Sequence, residues 1–224
     1  MTGNTPHPAP EPHRTQHPST PSLGSEIAAE RRELAALFAD LRAEQWDAPT
    51  LCAGWQVREV AAHMSMGFRY SLPRIALELI KAGGNLHRMA DRLARADAAA
   101  LSPDEIVAAL ADNAENPWKP PGGRTAGLGH DVVHGLDITV ALGLDRRVPE
   151  DRLRILLDAI NPRGVRFFGV DLTGVELRAD DLDWSYGSGT PLTGTGQDLL
   201  LVAFGRRLPP GRLHGEPRER FVAG

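Results

Sequence analysis

Apolar residues in the first two-thirds of the chain recur at the spacing of amphipathic helices. They return every three or four positions over Ser25–Gln45 and again over Val57–Tyr70, which places them on one face of each helix. The same period continues over Leu72–Ala100, where the pair Gly83-Gly84 predicts a break or kink. The predicted core positions are Ile27, Leu34, Leu37, Phe38, Leu41, Val57, Val60, Ala61, Met64, Phe68, Leu77, Ile80, Met89 and Leu93.

Charged residues occupy most of the remaining positions in these helical regions. Glu30, Arg31 and Glu33 are expected on the solvent-facing side of the first helix. A set of arginines in and near the third region admits two interpretations, a solvated face or an anion-binding wall beside a cofactor. These arginines are Arg69, Arg74, Arg88, Arg92 and Arg95.

Two further helices complete a predicted bundle. The run Ser-Pro-Asp-Glu at 102–105 supplies an N-cap serine, a proline in the first turn and a glutamate three residues on, so a helix is expected from there to about Asn116. Another helix is predicted over Thr125–Gly143, with Thr125 as its N-cap and Gly143 as its stop. Residues 25–143 therefore predict an antiparallel helix bundle.

The pattern changes after this bundle, because short stretches of alternating apolar and polar residues replace the long helical periods. The first two stretches are expected to pair as antiparallel strands, and a capping box at Thr195 and Asp198 introduces an apolar helix. A small α+β unit is therefore expected at the C-terminal end. Its predicted elements are a helix at 149–159, strands at 175–178, 183–186 and 212–214, and a helix at 199–204.

Composition and charge exclude several classes of function. A net charge of -4 over 224 residues leaves no basic surface for nucleic acid. The single cysteine, Cys52, rules out a disulfide within the chain and suits a reducing compartment, and we interpret it as a small buried residue rather than a nucleophile. No stretch is long and apolar enough to predict a membrane span, and no apolar segment near the N-terminus predicts a secretory signal.

Residues 1–22 are rich in proline and histidine and lack a periodic apolar face. Such a segment cannot offset its ordering entropy by burial, so a disordered tail is expected. His7, His13 and His17 within it are interpreted as solvated side chains, with weak metal binding as the alternative.

The candidate chemistry lies on the predicted helix at 125–143. His130 and His134 are four residues apart and Asp137 follows three later, so all three share one helical face. Two imidazoles one turn apart can bind one divalent ion, although the same spacing also occurs in half-buried helices without a metal. His63 lies on the flank of the apolar stripe of the second helix, where a lone histidine is more often structural, but such a position also suits a ligand at the mouth of a bundle.

Three sequence motifs resemble the mycothiol-dependent maleylpyruvate isomerase family, within the wider DinB/YfiT-like superfamily of metal-binding four-helix bundles. The segment WDAPTLCAGWQVREVAAHM at 46–64 resembles its N-terminal signature, a Pro-Thr-x-Cys-x-Gly-Trp loop that leads into a helix ending Ala-His. HDVVHGLD at 130–137 resembles its second landmark. DLDWS at 181–185, followed by DLLL at 198–201 and Gly-Arg at 205–206, resembles its small second domain.

This resemblance implies an α+β fold that is mainly α, with a DinB/YfiT-like antiparallel four-helix bundle at 23–146 and a small α+β domain at 147–224. It assigns the metal ligands to His63, His130 and His134. His130 stands where the isomerases usually have glutamate, and the resulting three-histidine set suits zinc, with nickel as the alternative. Asp137 is expected to orient His134 or His130 through a ring N–H. Arg206 matches a functional arginine that would bind a carboxylate, with an exposed helix-end arginine as the alternative.

The resemblance further implies a cytoplasmic, actinobacterial enzyme, monomeric or homodimeric, whose partners are a small-molecule electrophile and a thiol. Three neutral histidines leave a metal position open, which mycothiol would occupy as the nucleophile of an isomerase or a thiol S-transferase. The alternative is a DinB-like metal-binding protein without thiol chemistry, either stress-related or a hydrolase that uses metal-bound water. Neither interpretation involves nucleic acid or a membrane.

Overall fold

The computed structural model describes residues 22–224, so the predicted tail at 1–22 lies almost wholly outside the described residues. Over that range the chain is mainly helical with one small sheet, as expected. Two short 3-10 helices lie at Ala43–Asp47 and Glu216–Arg220. The other elements are α1 (Leu23–Ala39), α2 (Val57–Arg69), α3 (Leu72–Lys81), α4 (Leu86–Ala100), α5 (Pro103–Ala111), α6 (Gly123–Ala141), α7 (Glu150–Asp158), α8 (Pro162–Phe167), α9 (Gly196–Ala203), β1 (Val175–Ala179), β2 (Ser185–Gly187) and β3 (Thr190–Gly194).

The N-terminal helices form the predicted bundle. α1 packs against α5 and α6, and α2 packs against α4, α5 and α6. Their shared core is apolar and almost completely buried, which supplies the main driving force for their association. Its central side chains are Leu34, Phe38, Val60, Met64, Leu110 and Ile138.

Some helix boundaries follow the capping signals in the sequence and others do not. The predicted capping box at Ser102 and Glu105 is present at the start of α5. The long helical region is broken at Gly83-Gly84, both of which adopt positive φ, so it is two helices, α3 and α4. Thr125 is not the N-cap of α6, because the helix already begins at Gly123, and α1 ends six residues earlier than predicted.

Two predictions about which side chains face the core are wrong. Leu77 and Ile80 of α3 are 48% and 75% exposed, because α3 packs on α4 through its opposite face. Glu30 and Arg31 of α1, expected on the solvent side, are fully buried. Each of these two is paired with an opposite charge from another helix, which amphipathic periodicity cannot indicate.

The C-terminal unit contains a three-stranded sheet in the order β2-β1-β3. β1 and β2 pair antiparallel as predicted. The sequence pattern missed β3, which pairs parallel to β1, and it missed α8, which begins after an Asn161 N-cap. The expected strand at 212–214 is reduced to a single bridge between Thr193 and His214.

One continuous apolar core joins this unit to the bundle. Leu128, Val132 and Leu136 of α6 pack in the same cluster as α7, α9 and the sheet. α6 therefore has a bundle core on one side and the C-terminal core on another, and its histidine-bearing face lies between them. The domain boundary near residue 146 stays a prediction. None of the helices within residues 22–224 has the length and hydropathy needed to cross a membrane.

Candidate metal centre

The packing of α2 against α6 brings three histidines together. The ring centroids of His63 and His130 are 5.0 Å apart, those of His63 and His134 are 5.0 Å apart, and those of His130 and His134 are 4.8 Å apart. One ligand nitrogen from each ring lies within 4.8 Å of those of the other two. Residues separated by 67 positions in the chain thus converge on one point, while their role as metal ligands stays a prediction.

The geometry of this triad fits a metal ion. Nε2 of His63 lies 3.2 Å from Nε2 of His130. Two nitrogens bound to the same tetrahedral zinc at bond lengths of about 2.0–2.1 Å are separated by about 3.3 Å. Three half-buried imidazoles are also the donor type that zinc and nickel accept. The donor set and its spacing therefore suit a single divalent ion.

Asp137 contacts the ring of His134. Nδ1 of His134 lies 3.0 Å from Oδ2 of Asp137, which is completely buried. Arg206 binds both oxygens of the same carboxylate, with Nε 2.8 Å from Oδ1 and Nη2 2.7 Å from Oδ2. Burial opposes ionisation of Asp137, but the bonds from Arg206 and His134 outweigh it and hold the pKa of this carboxyl below its usual value. When the carboxylate accepts a hydrogen bond from Nδ1–H, Nε2 of His134 is left free to bind a metal.

His130 has an equivalent support that the sequence reasoning missed. Its Nδ1 lies 2.9 Å from Oδ1 of Asp131, and Oδ2 of Asp131 accepts a 2.8 Å bond from Nε of Arg31. Asp131 and Arg31 are both buried. The available signal was the presence of a carboxylate among the apolar residues of α6, a position that needs a buried partner.

His63 lacks a support of this kind among the described residues. Its Nδ1 is buried and makes no hydrogen bond with them, and its ring contacts the edge of Trp55 at a centroid distance of 5.1 Å. Burial, together with the neighbouring histidines, holds the pKa of His63 well below its usual value. Burial also lowers the pKa of His134, against the opposing effect of its bond to Asp137. Both rings are therefore neutral at pH 7, which is the form that binds metals.

Cys52 lies beside this cluster, in the loop that precedes α2. Its sulfur and the donor atoms of His134 and Asp137 lie within 4.8 Å of one another. Burial, reinforced by the charge of Asp137, raises the pKa of the Cys52 thiol to about 11. At neutral pH the side chain is a thiol and a poor nucleophile, in agreement with its interpretation as a small packed residue.

Four of the five arginines considered as an anion-binding wall bind carboxylates of their own chain instead. Arg69 pairs with Asp97 at 2.6 Å and Arg95 with Asp91 at 3.0 Å. Arg74 and Arg92 both pair with Glu78. The solvated, ion-paired face is therefore the better interpretation of these four side chains.

Comparison with known proteins places this geometry in context. Residues 27–116 match the sequence model of the mycothiol maleylpyruvate isomerase N-terminal domain. Uncharacterized proteins from two strains of Mycobacterium tuberculosis are each 27% identical to the chain, with 82% of this chain and 84% of the relative covered.

Two solved structures with a similar fold are those of the mycothiol-dependent maleylpyruvate isomerase. The crystal structure of the mycothiol-dependent maleylpyruvate isomerase superposes with a TM-score of 0.55 at 15% identity, covering 90% of this chain and 93% of the isomerase. A histidine-to-alanine mutant of that enzyme superposes with the same TM-score at 14% identity and the same coverage. Residues 27–116 are therefore similar to the mycothiol maleylpyruvate isomerase N-terminal domain, and the chain shares the fold of the mycothiol-dependent maleylpyruvate isomerase.

Proposed function

We propose that this protein is a divalent-metal-dependent enzyme that uses mycothiol as its nucleophile, either as a maleylpyruvate isomerase-like enzyme or as a thiol S-transferase. The observation that carries the proposal is the convergence of three imidazoles, two of which lie within hydrogen-bond distance of buried aspartates. His63, His130 and His134 would hold the metal, with zinc as the first choice. The family name and the fold of the isomerase support mycothiol as the thiol.

The ligand count supports catalysis rather than a structural role. Three protein ligands leave at least one position of a tetrahedral ion for a small molecule, whereas structural zinc sites use four. When bound, a divalent ion lowers the pKa of a coordinated thiol, so that the thiolate is present at neutral pH. Asp131 and Asp137 would accept hydrogen bonds from Nδ1–H of their histidines and so leave both Nε2 atoms available to hold the ion.

The state of Cys52 supports an external thiol. Its thiol is protonated at neutral pH because burial raises its pKa to about 11, so it does not compete as a nucleophile although it lies next to His134. A sulfur nucleophile at this site would therefore come from a small molecule.

Arg206 supports the site through Asp137. Both oxygens of Asp137 are bound by its guanidinium, and Nη1 donates to the carbonyl of Phe204 at 2.9 Å. Binding of a substrate carboxylate by the remaining N–H groups of Arg206 stays a prediction, as do the cytoplasmic location and the oligomeric state.

A second candidate function follows from His130. A histidine at the position where the isomerases usually have glutamate removes one negative charge from the ligand set, which favours a metal-binding protein that uses water rather than a thiol. This alternative shares the metal site and differs only in the co-substrate.

Titration of the cobalt-loaded protein with mycothiol tests the proposal. We expect Co²⁺ to bind to the purified chain, and mycothiol then to release heat and to change the visible absorption of the cobalt. His134→Ala should abolish Co²⁺ binding, whereas His87→Ala, an exposed residue of α4, should leave it unchanged.

The outcomes separate the two candidates. Cobalt binding without any response to mycothiol would remove the thiol chemistry and leave the metal-water alternative. Failure of the wild-type protein to bind Co²⁺, or unchanged cobalt content in His134→Ala, would remove both.

A further inference from the structure

We infer that Arg31 and Asp131 are positioning residues that orient His130 toward the metal and tie the site to the loop at 113–118. The inference rests on the proposed metal site. Arg31 lies on α1, which carries none of the proposed ligands, and sequence analysis placed it on the solvent side. In the structure it is among the largest fully buried side chains.

The two oxygens of Asp131 are divided between two partners. Oδ1 faces Nδ1 of His130 at 2.9 Å, and Oδ2 accepts from Nε of Arg31 at 2.8 Å. Arg31 places a guanidinium beside this buried carboxyl group, which would otherwise have no partner of opposite charge among the described residues. When Oδ1 of Asp131 accepts a hydrogen bond from the Nδ1–H of His130, the lone pair of His130 Nε2 points at the other histidines. If the ion pair between Arg31 and Asp131 served packing alone, Oδ1 of Asp131 would not need to face the ring of His130.

The remaining N–H groups of Arg31 bind backbone carbonyls. Nη1 donates to Asn116 at 2.8 Å and to Ala114 at 3.3 Å, and Nη2 donates to Trp118 at 3.2 Å. These bonds fix the segment that connects α5 to α6. The ring of Trp118 lies 6.0 Å from that of His130, so the same guanidinium holds both the ligand and an aromatic wall beside it.

The arrangement repeats the one at the neighbouring ligand. Each of these two ligands belongs to a hydrogen-bonded Arg–Asp–His triad. One triad consists of Arg206, Asp137 and His134, and the other of Arg31, Asp131 and His130. The two arginines come from opposite ends of the sequence and the two aspartates follow their histidines at different spacings. The same chemistry is thus built twice from unrelated elements. It assigns Asp131 and Arg31 the role that the motif spacing suggested for Asp137 alone, which is to orient a histidine ring.

The variant Asp131→Asn tests this inference with little change in shape. It replaces one carboxyl oxygen by an amide nitrogen, so that a single oxygen remains for both His130 and Arg31, while Arg31 keeps its bonds to the loop carbonyls. We expect Co²⁺ affinity to fall about ten- to a hundredfold, the usual effect of removing such a support, and the visible absorption of bound Co²⁺ to change. Affinity is measured by competition with a chelator of known strength.

Glu30→Gln is the matched control. Glu30 is as buried as Asp131 and is paired with Arg146 and Arg152, each at 2.5 Å, but it contacts none of the three histidines. We expect this variant to lose thermal stability and to keep the wild-type cobalt affinity and spectrum.

Three results would overturn the inference. Asp131→Asn with wild-type affinity and spectrum would show that His130 needs no such support. Equal losses of affinity in Asp131→Asn and Glu30→Gln would show that the effect comes from general destabilisation. In both cases the wild-type protein still binds Co²⁺ and the proposed function stands. Absence of cobalt binding by the wild-type protein would instead remove the proposed function and this inference with it.

Discussion

The neutral histidines make the stability of the metal-free protein depend on pH. His63 and His134 are half-buried, and desolvation of their rings holds the pKa of each below the value it has in the unfolded chain. Below pH about 6.5 the unfolded chain takes up protons that the native site cannot accommodate. The unfolded state is then favoured, so this contribution to stability is present at pH 7 and is lost as the pH falls.

We therefore expect the free energy of unfolding of the chelator-treated protein to decrease between pH 7.5 and 5.5. The slope below pH 6.5 is about 1.4 kcal/mol per pH unit for each histidine that stays unprotonated in the native state. Urea unfolding at a series of pH values measures it. The double variant His63→Gln/His134→Gln should flatten the slope; a wild-type curve that is level or rises toward pH 5.5 would contradict the explanation.

At the scale of elements, the site depends on a close approach between α2 and the loop before α6. Gly67 lies on α2 next to the ring of Trp118, and a Cβ atom at this position would lie 2.2 Å from Cδ2 of the indole. The position therefore accepts only glycine unless the ring moves. Since Trp118 is also a neighbour of His130, the approach of these two elements helps to shape the metal site.

We expect Gly67→Ala to displace Trp118 and to reduce the free energy of unfolding by about 1–3 kcal/mol, the usual cost of overpacking. Denaturant unfolding followed by tryptophan fluorescence measures both effects. Gly164→Ala is the control, because a Cβ atom there meets nothing closer than Asn161 Oδ1 at 3.9 Å. This helical position should gain up to about 1 kcal/mol. Equal stability of the two variants would mean that the contact at Gly67 has no energetic consequence.

Local signals predicted the elements that depend on few neighbours. Ser102 and Glu105 start α5, and the pair Gly83-Gly84 separates α3 from α4, because caps and glycine conformations act within a few residues. The strand β3 was missed, since its sequence Thr-Pro-Leu-Thr-Gly is a strand only through pairing with β1. Leu77 and Ile80 were misplaced for a similar reason: periodicity shows that a helix has an apolar face but not whether another element covers it.

At the scale of the molecule, a buried ion network joins the bundle to the C-terminal unit. Arg152 of α7 reaches α1, where it bonds Glu26 at 3.0 Å, Glu30 at 2.5 Å and Glu33 at 2.8 Å. Glu30 is completely buried; burial raises its pKa, although Arg146 and Arg152 oppose the rise. The network therefore supplies positively charged partners for the carboxylate of Glu30, which is costly to bury. Arg152 can be such a partner only when α1 and α7 are in contact.

We expect Arg152→Met to reduce the free energy of unfolding by roughly 3 kcal/mol, because Glu30 would keep only Arg146 as its partner. Thermal and urea unfolding measure the loss. Arg154→Met is the control on the same helix, since the Arg154–Glu150 pair is 40% and 62% exposed and should contribute less than about 1 kcal/mol. Similar losses in the two variants would show that burial of the network is not what stabilises the junction.

The sequence by itself determined the helices of the bundle, the antiparallel strand pair, and the shared face of His130, His134 and Asp137 on α6. All of these follow from periodicity, capping and spacing within one segment. The convergence with His63 could be inferred only from family resemblance. Tertiary structure alone decided that Arg31 and Glu30 lie inside and that Asp131 supports His130. A buried charge is tolerated only beside a partner of opposite charge, and the partners of Arg31 and Glu30 lie about a hundred residues away in the chain.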